Sequence, residues 1–144
     1  MSGTVVSFDI GSTDVSAELG IAVWIDNDLV YANSHVKDTY KFSHAVNDDA
    51  AEHELRIVMS GKTAQHTMID QAGNIITDAC LTVIGPKIDD IEVAQVFNEK
   101  SVYTHSFNNT QPESQHKFYG VMGCNGTVSL RFSTPMYMWL LENM

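Results

Sequence analysis

Ala17-Glu18-Leu19-Gly20-Ile21-Ala22-Val23-Trp24-Ile25 is the stretch on which the fold turns. Ala17, Leu19, Ile21, Val23 and Ile25 alternate with Glu18, Gly20, Ala22 and Trp24, a period of two with one strongly apolar face. Asp26-Asn27-Asp28 marks a turn, and residues 29–36 supply a returning partner, so the pair predicts a β-hairpin. The same alternation recurs at Leu55, Ile57 and Met59 against Glu54, Arg56 and Val58, and at Val128, Leu130 and Phe132 against Ser129 and Arg131.

Between these anchors the chain breaks into short segments. Strands are predicted over 4–10, over 67–70 and 74–77 around Gln71-Ala72-Gly73, and over 80–84, where Gly85-Pro86 stops the run. Further strands are predicted over 88–97, interrupted by Asp89-Asp90, and over 102–107 and 117–122. Asn125-Gly126 carries the strongest tight-turn signal. Residues 136–141 form either a last buried strand or a short terminal helix. Val, Ile, Thr, Phe, Tyr and Trp make up a third of the chain, and no 12-residue amphipathic helix pattern occurs. The expected fold is an all-β antiparallel sandwich, jelly-roll-like, of about nine to eleven short strands.

The length fits one domain, burying roughly 68–70% of its unfolded surface. Residues 37–52 are the least regular. They divide residues 1–50, read as N-terminal strands or an extension, from a core sandwich over 53–144.

Eight Lys and Arg against eighteen Asp and Glu give a net charge of −10. Such a chain lacks the basic footprint that duplex or anionic-membrane binding needs, so neither nucleic acid nor membrane is an expected partner. No apolar run approaches the 18 or so residues of a spanning helix. The opening Met1-Ser2-Gly3-Thr4-Val5 has no signal-peptide pattern, which predicts a chain that stays in, or assembles in, a cytosol.

Reaction chemistry is sparse. Cys80 and Cys124 form neither a zinc set nor a CxxC pair, and a disulfide between them is left open. There is no Gly-x-Ser-x-Gly elbow. His53-Glu54-Leu55-Arg56-Ile57 begins like the HExxH metal motif, but Ile57 stands where the second histidine belongs. No enzyme activity and no obligatory cofactor are expected. Calcium is the one ion to consider, through the acidic pairs Asp48-Asp49 and Asp89-Asp90. No D-x-D-x-D-G loop accompanies them. Tyr103, Tyr119, Tyr137, Trp24 and Trp139 are residues that stack on sugars, and equally residues that fill cores.

Several segments together carry a resemblance: Ser60-Gly61-Lys62-Thr63, Phe118-Tyr119-Gly120, Met122-Gly123-Cys124-Asn125-Gly126-Thr127-Val128-Ser129-Leu130, and Tyr137 with Trp139-Leu140-Leu141-Glu142-Asn143. With His53–Ile57, His66-Thr67 and Asp70 with Gly73-Asn74-Ile75, they resemble a small β-sandwich family of large tailed marine phages, over roughly residues 53–144. The pattern is also similar to calcium-dependent carbohydrate-binding modules. The first resemblance implies a virion structural protein, as a capsid decoration, neck, tail or baseplate component. It would be assembled in the host cytoplasm through contacts with other virion proteins or as a homo-oligomer. The second implies a module for surface glycans. For the virion reading, Thr4, Val5, Val6, Ser7 and Phe8 are the candidate interface, a strand that adds to a neighbour's sheet edge or else belongs to its own sandwich.

Overall fold

The structure, a computed structural model, describes residues 3–14, 18–47, 51–61, 67–69, 71–72, 75–89, 91–105, 114–123 and 125–143. The strands are β1 (Gly3–Ser12), β2 (Gly20–Ile25), β3 (Asp28–Asn33), β4 (Tyr40–Asn47), β5 (Glu52–Ser60), β6 (Thr67–Ile69), β7 (Ile75–Asp78), β8 (Leu81–Ile88), β9 (Ile91–Glu92), β10 (Val102–His105), β11 (Ser114–Lys117), β12 (Val121–Met122) and β13 (Gly126–Ser133). Two short helices, α1 (Ala94–Lys100) and α2 (Met136–Asn143), complete the elements. One sheet runs β12-β8-β1-β4 with β9 on β8, the other runs β11-β10-β13-β5-β2-β3, and β6 and β7 form a separate hairpin. Every strand pair among the described residues is antiparallel, and the fold is a β-sandwich.

The alternating residues meet between the sheets. Ile21, Val23, Ile25, Leu55, Ile57, Met59, Val128, Leu130 and Phe132 are buried on one side, facing Val6, Phe8, Ile10, Phe42, Leu81 and Val83 on the other. Phe8 stacks on Phe42 with ring centroids 4.7 Å apart and touches Phe97 of α1 at 6.5 Å. Across the sandwich opening, Tyr31 of edge strand β3 stacks on Tyr40 of edge strand β4 at 4.1 Å.

β1 lies between β4 and β8 and is hydrogen-bonded to both. Thr4, Val6 and Phe8 are buried, so 4–8 has no free edge to offer a neighbour and serves its own sheet. The first four strands are shared between the layers: β1 and β4 lie in one sheet and β2 and β3 in the other.

Two local expectations change. β8 runs through Gly85-Pro86 to Ile88, because a bulge sets three steps of β8 against two of β1 (Ser7↔Lys87, then Asp9↔Ile84). Gly85 adopts φ +65 there, a conformation that favours glycine. Pro86 lacks a donor, but its carbonyl accepts from Val93 at 3.0 Å. Residues 94–97, expected as strand, are helical: Val93, Val96 and Phe97 stand at i, i+3 and i+4, and all three are buried.

Candidate functional site

The site forms where the β5–β13 pair runs out at one end of the sandwich. Pairing of β2 with β5 in the register Ile25↔Leu55 carries the β2–β3 turn to the start of β5. Asp26 opens this turn at φ +56, a conformation that Asp tolerates better than most residues. Its N–H donates to the Glu54 carbonyl at 2.8 Å, and its own carbonyl accepts from the Arg56 guanidinium at 2.9 Å. Its carboxylate accepts from the Glu54 N–H at 2.9 Å and lies 2.7 Å from Nδ1 of His53.

Alternation along β5 places His53 in the inward row with Leu55 and Ile57, at the open end of the core. The imidazole stacks on Phe132, its partner on β13, at 5.5 Å, and the Phe132 ring meets Trp139 of α2 edge-on at 6.4 Å. Nε2 of His53 lies 3.4 Å from Oγ1 of Thr134.

Asp26, His53 and Thr134 thus stand in the order of an acid–imidazole–hydroxyl relay. Thr134 is only 5% exposed, and its hydroxyl is held at 3.2 Å by both the N–H and the carbonyl of Ala51. That hydroxyl fixes the backbone and is not presented for attack, so the arrangement holds an imidazole rigidly without making a nucleophile.

A cleft of about 360 Å³ opens here, bounded by Asp26, His53, Glu54, Arg131, Phe132 and Trp139. Glu52 and Ser133, paired across β5 and β13, complete its lining. A smaller recess of about 140 Å³ touches Asp26, Asp28, His44 and His53, so the Asp26–His53 pair is a wall common to both. On the outward row, Glu54 faces Arg56 at 3.6 Å and Arg131 at 3.7 Å.

Of the acidic residues singled out in the sequence, Asp48, Asp49 and Asp90 lie outside the described residues. Asp89 follows the last residue of β8 in a turn, at φ +51. Its carboxylate accepts from the Tyr137 hydroxyl and from the Val5 N–H at 3.0 Å, which hold its pKa below the ordinary 3.8. Asp89 therefore fastens α2 and β1 to the end of β8.

The described residues do not fit a calcium ion. No group of three or more His, Cys, Asp or Glu among them gathers to hold a metal. Both Asp26 oxygens already accept hydrogen bonds, and Glu54 is engaged by two guanidinium groups.

Asp26, His53 and Trp139 were not legible as a set. Asp26 read as turn, His53 as half of a failed metal motif, and Trp139 as core or platform. The one available signal is the register that an Ile25–Leu55 pairing imposes.

No protein-family model matches the chain, and no curated protein matches it. Solved structures do. A structure described as vCBM60 in complex with galactobiose aligns with a TM-score of 0.51 and 14% identity, over 88% of this chain and 96% of that one. A selenomethionine form of vCBM60 aligns with a TM-score of 0.54 and 12% identity, over 88% of this chain and 89% of that one. It is described in terms of circular permutation linking two families of calcium-dependent carbohydrate-binding modules. Neither likeness supports the virion reading. At these identities the likeness establishes the fold: the chain shares the β-sandwich of vCBM60.

Proposed function

We propose that the chain is a non-catalytic glycan-binding module whose sugar occupies the cleft between Trp139, His53 and Glu54. The observation that carries this reading is an aromatic ring set beside hydrogen-bonding groups in a cleft of about 360 Å³ on a sandwich shaped like carbohydrate-binding modules. A pyranose has apolar C–H faces and a hydroxyl rim. Trp139 suits the first, and Glu52, Glu54, Arg131 and Ser133 suit the second.

Preorganisation supports the same reading. The Asp26 carboxylate against Nδ1 and the Thr134 hydroxyl against Nε2 hold His53 before any ligand arrives, and the Arg56–Glu54–Arg131 chain fixes the Glu54 carboxylate. Groups held in place lose little freedom on binding. The net charge of −10 works against anionic glycans, so the ligand class is neutral sugar.

Calorimetric titration with galactobiose and a panel of neutral oligosaccharides tests the proposal. Saturable binding is expected, weakened about tenfold or more in Trp139→Ala, with a cooperative melting transition showing that the variant still folds despite the packing it loses against Phe132. Absence of saturable binding across the panel, or an unchanged affinity in Trp139→Ala, overturns it.

A further inference from the structure

The outward face of the six-stranded sheet carries a second aromatic residue beside the cleft. Trp24 of β2 is half-buried, and its register partner on β5 is Arg56. The Arg56 guanidinium carbon lies 5.6 Å from the centre of the Trp24 ring. Arg56 and Glu54 are two residues apart on the same face of β5, a separation of about 7 Å along the strand. Glu54 in turn joins Arg131, and both bound the cleft. Trp24, Arg56, Glu54 and Arg131 therefore form an unbroken path from the sheet face into the cleft.

This path is open to solvent. The Arg131 side chain is 88% exposed, and those of Arg56 and Glu54 are each about a third exposed. Nε of Arg56 itself is buried and faces Glu54 at 3.6 Å, so the exposed part of this side chain is the rest of the guanidinium group. The charges are mixed: Arg56 and Arg131 both face Glu54, and Glu52 and Asp26 add two further carboxylates in the cleft. An anionic chain gains little from a surface with this excess of carboxylates, whereas hydroxyl groups find donors and acceptors side by side.

We infer that Trp24 and Arg56 form a second sugar subsite, so that the ligand is a linear neutral oligosaccharide running from the cleft across β5 onto the Trp24 ring. The inference rests on the glycan reading of the cleft. It adds that recognition depends on chain length, because one sugar in the cleft leaves Trp24 untouched.

The test compares a neutral monosaccharide, its disaccharide and its tetrasaccharide on the wild-type chain and on Trp24→Ala, Trp24→Leu and Trp139→Ala. The Leu variant keeps apolar bulk against the sheet, and thermal melting identifies any variant that fails to fold. Wild type is expected to gain about tenfold in affinity between the shortest and longest ligands. Both Trp24 variants should lose that gain and bind the shortest ligand as wild type does, whereas Trp139→Ala should weaken all lengths. A length-dependent gain that survives in both Trp24 variants, or no gain in wild type, overturns the subsite and leaves the cleft standing. No binding at any length overturns the cleft reading and the subsite together.

Discussion

Nδ1 of His53 meets the Asp26 carboxylate at 2.7 Å, and this contact ties the β2–β3 turn to the first residues of β5. The Asp26 side chain is 44% exposed, so solvent screens the pair and its energetic contribution is modest. Loss of the carboxylate in Asp26→Ala should cost about 1 kcal/mol in chemical denaturation. Asp26→Asn keeps an acceptor for the Glu54 N–H and tolerates φ +56, so it should cost less than Asp26→Ala. Asp26→Val should cost more than either, because a β-branched residue is strained at that φ. Equal losses in all three variants would remove Asp26 from its role at the turn.

His105 supplies a pH dependence. Its ring is buried and lies 5.0 Å from that of His116. Burial first, and the charge of His116 second, push its pKa below the ordinary 6.5. The folded chain therefore takes up a proton at this position less readily than the unfolded chain. The His105 contribution to stability is full above pH 6.5, falls as pH drops through the lower folded value, and is constant again below that. Melting curves between about pH 7 and about pH 5 should show a shallower decline in His105→Phe than in wild type. Parallel declines would place the sensitivity elsewhere.

What the sequence discloses here is local. A period of two is visible wherever one face of a strand is buried, as in Leu55-Arg56-Ile57-Val58-Met59, and these segments are strands in the structure. Residues 94–97 misled because Val93, Val96 and Phe97 satisfy a helical spacing inside an apolar run too short to separate the two periods. Asn125-Gly126 carries a tight-turn signal, but that signal does not say where the flanking strands go: β12 pairs with β8 in one sheet and β13 with β5 and β10 in the other. The cleft was hidden for the same reason as the sheet order. Asp26, His53, Phe132 and Trp139 are remote in sequence, and only non-local strand register brings them together.

Gly126 and Gly85 separate two causes of glycine dependence. A Cβ on Gly126 would stand 2.3 Å from the Thr104 carbonyl oxygen and 2.9 Å from Cβ of His105, where β13 passes β10. Backbone must move to admit it, and Gly126→Ala should cost about 3 kcal/mol. Gly85 has nothing within 4 Å of such a Cβ, so its only penalty is φ +65. Gly85→Ala should cost about 1–2 kcal/mol. Urea denaturation of the two variants measures the difference, and a Gly85→Ala cost equal to or above that of Gly126→Ala would contradict it.

The last prediction concerns metal dependence, because one of the structures with this fold is described in terms of calcium-dependent modules. Calcium takes 6–8 oxygen ligands, with several carboxylates commonly among them. In the cleft, Asp26 is committed to His53 and Glu54, and Glu54 to Arg56 and Arg131, which leaves Glu52 as the one carboxylate without such a commitment among the lining residues. Recruiting Asp26 or Glu54 to an ion would break the bonds that shape the cleft. Direct recognition by the side chains already in place therefore predicts that affinity for a neutral oligosaccharide is the same in EDTA as in millimolar calcium. The melting temperature should also be unaffected by either addition. Loss of sugar binding in EDTA, restored by calcium, would show that the metal is held by carboxylates other than these and that the sugar is read through it.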